Sequence, residues 1–581
     1  MCGIIGVWGL EAPAQQTKRM LGRLEYRGYD SAGIAWGPPG QRVRCVGRPG
    51  GLDVDAGGRM AIGHTRWATH GGVSERNAHP HLDATGAYAL VHNGVLSNHM
   101  ALRERLTRDG VALQSDTDSE VIVHLYARHR EAMGPDDALA ATVADLEGTW
   151  ALVVMDGPAD AIAFACHDAG MAYAEVSGGL VVTSDLVALA GVVDGAHVLL
   201  DGTMAVRDAE GLRVRGPGTQ PCIVPSNTED AGHVGFEDFL RKEIHEVPQA
   251  LNACLAGRVR LDRIDAGALP PRGRMVLTGC GTSLHAARFG ADVLRRWAGV
   301  DACAIGAGEL VDGGLPRADR LVALSQSGHT HDTISAARLA KQTGMQVLAV
   351  TNTAASRLER AADEAVGTRV GPEISVAASK TFLGQTAWLA AWALAGSPAG
   401  RFREALRDEL MRMPRVTEQV LHQEPALARL GRRLAQASSL HFIARGIHGA
   451  AAAESALKFQ EITYVHASAL PGSEVKHGPL AALDETTPCV AFAAHDATWE
   501  RSVATVFELE ARGVPVHVLH QGEPGDLEGC AASLTRLPGE VADLAVLPFS
   551  LAGQIIAYHA AKELGRDVDR PRHLAKSVTV P

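Results

Sequence analysis

Aromatic residues make up only 4 % of this 581-residue chain, although 46 % of it is hydrophobic. A large core must therefore be built mainly from Ala, Val and Leu rather than from rings. Metal-site spacing is also missing. The nine cysteines are scattered, with no Cys-x-x-Cys pair and no zinc pattern. Their odd number and the size of the chain argue against a disulfide framework and for a reducing cytoplasm. Positive charge is not in excess: 55 Lys and Arg stand against 66 Asp and Glu, a net −11, which argues against a general nucleic-acid binder. No long hydrophobic run is evident. The longest apolar stretch, around residues 386–396, is too short to span a bilayer and reads as a buried helix. The apolar run after Cys2 is too short for a secretory signal. No metal, redox cofactor or pyridoxal phosphate site is expected.

What the chain does have is a cysteine in second position. Removal of Met1 would leave a thiol and an α-amine on one residue, so nucleophile and base need no separate partner. That suits attack on an amide and points to an N-terminal-nucleophile hydrolase. Around it the first 215 residues read as short strands with intervening helices. Residues 61–65, 87–92, 150–155 and 179–183 are strand-like, and 87–92 is expected to end in an Asn93-Gly94 turn. Residues 101–109 and 118–130 carry helical spacing. Pro, Gly, Ser and Asn collect over 216–232, which reads as a linker, followed by a connecting helix over 236–247.

From about residue 273 the rhythm becomes strand, Gly/Ser loop, helix, and a weaker copy starts near 438. This is the βαβ pattern of open parallel sheets. The expected division is a domain over 2–215, a linker and helix over 216–250, two α/β domains over 251–400 and 425–571, and a tail over 572–581.

Four segments support Cys2: Arg27-Gly28-Tyr29-Asp30-Ser31, Thr65-Arg66-Trp67-Ala68-Thr69-His70-Gly71, His92-Asn93-Gly94 and Asp116-Thr117-Asp118. Together they contain what glutamine hydrolysis needs. An arginine can grip an α-carboxylate. An aspartate can hold an α-ammonium. An amide side chain and a glycine N–H can stabilise a tetrahedral oxyanion. Each has a plain alternative, Asn93-Gly94 as a hairpin turn and Arg66 as a surface ion pair.

These segments resemble class II glutamine amidotransferases, and nearly the whole chain resembles the isomerising glutamine–fructose-6-phosphate aminotransferase family. The resemblance implies an α+β N-terminal-nucleophile (αββα) glutaminase domain followed by two α/β parallel-sheet sugar-isomerase (SIS) domains. It implies Cys2 as nucleophile, Asn93 and Gly94 as oxyanion hole, and glutamine held by Arg66, Trp67, Thr69, His70 and Asp118. Trp67 matches a family residue that gates an internal ammonia channel.

In the first α/β repeat, Cys280-Gly281-Thr282-Ser283 and Ser325-Gln326-Ser327-Gly328-His329-Thr330 place hydroxyls and backbone N–H groups at helix N-termini. Such a terminus binds phosphate through its dipole and unpaired donors; simple N-capping is the alternative. By resemblance Cys280, Gly281, Thr282, Ser283, Ser325, Gln326, Ser327, Thr330, Val376 and Ala378 hold the sugar phosphate, with no nucleophilic role for Cys280. In the second repeat Lys458 and Glu461 share a helix face, with a surface salt bridge as the plain reading. The family implies Glu461 as the base between C1 and C2, Lys458 steadying the enediol, His477 assisting ring opening and Lys576 forming a Schiff base with the ketose. L-glutamine and a ketose phosphate are the implied substrates, and a homodimer is implied by resemblance.

The chain departs from the family pattern at Gln460, Ala378, His329 and Ser468, all on the sugar side. The product expected is glucosamine 6-phosphate. The alternatives are the same chemistry on another keto-sugar phosphate, or a sugar-phosphate sensor without turnover.

Overall fold

Ile4, Ile5, Val7 and Trp8 are all buried, although they point alternately to opposite faces of one strand, Gly3–Trp8. A strand apolar on both faces must be covered on both. A computed structural model, which describes residues 2–37, 40–224 and 235–579, shows how. The strand lies near the middle of an eight-stranded sheet, antiparallel to both Met60–Arg66 and Gly179–Thr183. One face carries Ile4 and Trp8 into a core shared with a six-stranded sheet through Val91, Val153 and Phe164. The other carries Ile5 and Val7 against Met20 and Leu21 of helix Pro13–Arg23. Helices His99–Arg108, Glu120–Arg130 and Pro135–Ala144 cover the outer face of the second sheet. The result is the αββα sandwich expected.

Two local expectations are corrected. Asn93-Gly94 is not a turn: strand Tyr88–Leu96 runs straight through it, with Asn93 opposite Ala151 and Gly94 opposite Trp150. Gly94 adopts φ +140°, and a Cβ there would stand 1.9 Å from the Thr149 carbonyl oxygen. Glycine is thus required by the close approach of the neighbouring strand. The linker also begins later than the composition suggests. Residues Thr219–Ile223 form an edge strand paired with Gly195–Leu199. The rest of the expected linker, 225–234, lies outside the described residues.

The chain divides into two compact units, Met1–Ala231 with the C-terminal segment from Ala575, and Gly232–Leu574. The second unit holds two five-stranded, wholly parallel sheets. In the first, Arg274–Gly279 lies between Asp301–Gly306 and Arg320–Ser325, and Gln346–Thr351 and Glu364–Gly367 follow. In the second, Ser439–Ala444 lies between His466–Pro471 and Cys489–Ala493, and Val516–His520 and Ser533–Arg536 follow. The strand orders are identical, so the repeat legible as a pattern is a structural repeat.

These sheets do not close separate cores. One hydrophobic cluster runs from Leu240 through Phe289, Trp388, Leu410 and Phe459 to Tyr558. Helices Phe239–His245 and Val247–Leu255 belong to it, so the single connecting helix expected is two packed helices. Helix Lys380–Gly396 is buried, as its composition suggests. There Trp388 and Trp392 stack 5.3 Å apart, and their indole N–H groups donate to the Ala266 and Leu269 carbonyls at 2.9 Å. The helical stretch Ala542–Glu563 also has the length and composition to cross a membrane, and 94 % of its apolar window is buried within the protein. It is a core helix by burial, and a longer apolar run than residues 386–396.

Candidate active sites

The fold of the N-terminal unit brings Cys2, Asn93 and Trp67 together from three strands. Cys2 precedes Gly3–Trp8, and Gly3 pairs with Thr65, so the chain leaving Met60–Arg66 passes the thiol. The Trp67 N–H donates to Cys2 Sγ at 3.2 Å, and Sγ lies 3.4 Å from the Trp67 carbonyl oxygen. From the second sheet, Asn93 Nδ2 donates to the Cys2 carbonyl at 2.8 Å. Burial pushes the Cys2 thiol above its ordinary value; the Trp67 amide and the Arg66 guanidinium pull the other way without cancelling it.

Arg66 is not a surface residue. It is 3 % exposed and donates to the carbonyls of His70, Gly71 and Gly72. Among the described residues no carboxylate lies within ion-pair distance of it. The 66–72 loop thus holds a buried cation that hydrogen-bonds to carbonyls, with Cys2, Asp30 and Asp118 acting on it from beyond ion-pair distance. Burial lowers its pKa, against the pull of Asp30 and Asp118. Asp118 is buried too, its carboxylate accepting from the Leu96 N–H at 3.0 Å and the Ser119 hydroxyl at 3.2 Å. Trp67 packs edge-on to Tyr29 at 5.5 Å. His70 packs edge-on to His99 at 5.2 Å, and Thr69 beside it is exposed.

In the second unit both Gly/Ser loops leave adjacent parallel strands, Arg274–Gly279 and Arg320–Ser325, at their carboxyl ends. The strand order reverses there, and a crevice at such a point is where open α/β sheets bind ligands. The hydroxyls do not cap the helices that follow. Neither Thr282–Ala298 nor His331–Gln342 has a side-chain cap. Ser325 Oγ instead accepts from the Gly328 N–H at 3.0 Å and lies 3.2 Å from Thr330 Oγ1, while Ser327 Oγ accepts from the His329 N–H at 3.1 Å. Gly328 is at φ +63°, and a Cβ there would meet Ser356 Oγ at 2.1 Å. Ser283 Oγ accepts from Gln385 Nε2 at 3.1 Å. Gln326 is half-buried, and its carbonyl accepts from the Asn352 N–H at 3.1 Å. Gly281 turns the chain between Cys280 and the helix at φ +51°. Cys280 lies 3.7 Å from the Thr333 hydroxyl, and burial raises its thiol pKa with no α-amine on the same residue to take the proton.

Thr282 Oγ1 donates across to Glu454 of the second repeat at 3.1 Å, and His285 Nδ1 lies 2.9 Å from the same carboxylate. Glu454 is fully buried and also lies 3.7 Å from Lys458, which is 3 % exposed and bonds Glu461 at 2.5 Å. The plain alternative of a surface salt bridge does not hold: Lys458 is a buried cation between two carboxylates. Burial works against the Lys458 charge, yet Glu461 and Glu454 hold its pKa above the ordinary lysine value. His477 is exposed, and among the described residues no hydrogen bond joins its ring to Glu461 or Lys458. The Val376 N–H donates to the Asp569 carbonyl at 3.0 Å, Ala378 is half-buried beside it, and Lys576 is half-buried in the segment that groups with the first unit.

Two family models match the chain: a glutamine amidotransferase domain over residues 50–204, and an SIS domain over 269–395 and again over 433–529. Curated relatives extend the match over the full length of both chains. The glutamine–fructose-6-phosphate aminotransferase (isomerising) of Halobacterium salinarum is 37 % identical over 607 residues, covering 100 % of each chain. Those of Rhizobium meliloti and Pyrococcus horikoshii are each 35 % identical with the same coverage. The chain belongs to the glutamine–fructose-6-phosphate aminotransferase family. Among solved structures, the C-terminal domain of glucosamine-fructose-6-phosphate aminotransferase from Francisella tularensis covers 58 % of this chain and 100 % of its own, at 27 % identity and a TM-score of 0.56.

The residues expected to depart from the family pattern fall in particular places. Gln460 is exposed, on the side of its helix away from buried Lys458, and Ser468 Oγ lies 2.7 Å from His441 Nδ1. Three further residues carry the geometry and were not singled out from sequence. Asp30 accepts from the Ala68 N–H at 2.8 Å and fixes the chain after Trp67. His64 contacts Asn93. Glu454 ties the repeats together. Glu454, Lys458 and Glu461 are spaced i, i+4, i+7 on one helix face, and His64 sits two residues from inward-facing Ile62, so both signals were present.

Proposed function

We propose that this protein catalyses glutamine-dependent conversion of fructose 6-phosphate to glucosamine 6-phosphate. The observation that carries the reading is the end-to-end match to the aminotransferase relatives, which puts both half-reactions in one chain.

In the first half-reaction the α-amine freed at Cys2 takes the thiol proton and Sγ attacks the glutamine carboxamide. Asn93 Nδ2 and the Gly94 N–H receive the oxyanion. Arg66 grips the α-carboxylate and Asp118 the α-ammonium, with Trp67, Thr69 and His70 lining the site. Ammonia leaves, and water hydrolyses the thioester to glutamate. The burial of Arg66, with no carboxylate in ion-pair contact among the described residues, supports this, since its guanidinium can still pair with a substrate anion.

In the second, Lys576 condenses with the ketose carbonyl and water leaves; ammonia passed within the protein then displaces the lysine amine, and the resulting imine isomerises to the amino aldose. Ser283, Ser325, Gln326, Ser327 and Thr330 hold the phosphate, with Cys280, Gly281, Thr282, Val376 and Ala378 around the sugar. Hydroxyls that cap no helix support that role. Lys576 forms the Schiff base, Glu461 moves the proton between C1 and C2, Lys458 offsets the enediol charge and His477 assists ring opening. The nine free cysteines fit a cytoplasmic protein. A homodimer fits the exposed His477, which a second subunit's sugar site can receive.

Incubation with glutamine and fructose 6-phosphate should yield glutamate and glucosamine 6-phosphate in equal amounts, and Cys2→Ala should abolish both. Glutamate without the amino sugar would remove the sugar assignment, and no glutamate would remove the glutaminase assignment.

A further inference from the structure

His64 has no role in the chemistry so far, yet it is 1 % exposed and stands against the proposed oxyanion donor. Its Nε2 lies 3.1 Å from the His92 carbonyl oxygen and 3.0 Å from Asn93 Oδ1. A backbone carbonyl can only accept, so Nε2 carries a proton. Burial lowers the His64 pKa to about 3, so the ring is neutral and Nε2–H is its one N–H. Its Nδ1 is buried with no hydrogen-bond partner, so no acceptor draws the proton to that nitrogen.

A neutral Nε2–H settles the orientation of the Asn93 amide. The oxygen must face the imidazole, and the nitrogen is thereby turned to the Cys2 carbonyl at 2.8 Å. An Asn93 rotated the other way would set N–H against N–H on one side and oxygen against oxygen on the other. The neighbouring peptide is pinned as well: the His92 N–H donates to His79 Nδ1 at 3.3 Å, and the His79 ring stacks on His64 with centroids 4.1 Å apart.

We infer that His64 is a positioning residue for glutamine hydrolysis: through its Nε2–H it selects the Asn93 amide orientation that points Nδ2 at the oxyanion. The inference rests on the glutaminase reading above. A misoriented Asn93 withdraws one donor from the transition state and leaves the glutamine clamps and the thiol untouched.

The test uses His64→Leu and His64→Gln in the full chain, each also made in an Asn93→Ala background. His64→Leu should lower the glutaminase kcat about 100-fold, the cost of one oxyanion donor. KM for glutamine and the rate of Cys2 alkylation by iodoacetamide, which needs no oxyanion hole, should stay within a factor of about three. His64→Gln can still donate to Asn93 Oδ1 and should recover to within about tenfold of the parent. In the Asn93→Ala background His64→Leu should cost nothing further. A parental kcat for His64→Leu, equal losses in the Leu and Gln variants, or a further loss in the Asn93→Ala background would each overturn the inference alone. A parent chain that makes no glutamate overturns the glutaminase reading and this inference with it.

Discussion

Four histidines of the N-terminal unit, His64, His79, His81 and His92, are buried and held neutral. Burial drives His64 and His81 from 6.5 to about 3, His79 well below 6.5, and lowers His92. As pH falls below 6.5 the unfolded chain takes up protons that the folded chain refuses. Their contribution to stability is thus complete above 6.5 and is lost as pH falls from there towards about 3, by at most ~1.4 kcal/mol per pH unit for each residue. Glu120, lowered to about 2 against its burial by the His124 ring 3.7 Å away and by hydrogen bonds from the Gln114 and Ser115 amides, adds a loss of the same sign at lower pH. Urea midpoints should therefore fall steeply between about pH 7 and 5, and His81→Gln should flatten that slope. An unchanged slope would contradict the neutral state assigned to His81. Arg66 makes a second prediction. Its guanidinium makes no ion pair with a carboxylate among the described residues but holds three loop carbonyls, so Arg66→Gln should cost about 1 kcal/mol of stability, while KM for glutamine rises about 100-fold for loss of a charged pair. A melting loss with unchanged KM would make Arg66 structural.

At the scale of elements, the two sites are built differently. Strand Tyr88–Leu96 is a rigid rail: pairing with Gly148–Asp156 along its whole length places Asn93 at a fixed depth. The SIS repeats are joined instead by helix Gly449–Thr463, whose Glu454 receives Thr282 and His285 from the other repeat. Removing one member of such a buried set strands the others. Glu454→Leu should cost about 3 kcal/mol in urea unfolding, more than Gln460→Ala on the exposed side of the same helix. Equal, small losses in both variants would show that the join contributes no stability.

At the scale of the molecule, each unit closes its own core. The sandwich has three apolar layers, and the SIS unit has one long helical core with smaller clusters under each sheet. Both SIS repeats share that long core, so they should unfold together. Calorimetry should give two transitions, one per unit, and the larger unit should not split further. Three transitions would mean that the repeats melt independently. Substitutions at His81 should move only the transition of the sandwich.

Local information carried much of this. The strand and helix periods, the thiol at position two and the two Gly/Ser loops are properties of short segments, and backbone sterics with side-chain patterning fix them before any distant residue is met. Decisions about environment needed the assembled chain. Asn93-Gly94 carries a turn signal and became mid-strand because pairing with Gly148–Asp156 outweighs a two-residue preference. Residues 219–223 read as linker and became an edge strand because Gly195–Leu199 offered a partner. Sequence left a surface ion pair open as the alternative for Lys458 and Arg66, and helix capping for Thr282 and Thr330; the folded chain buries the first two and bonds the other two elsewhere. Whether a polar group is covered, and what answers it, depends on residues far away in sequence, and only the packed molecule brings them within reach.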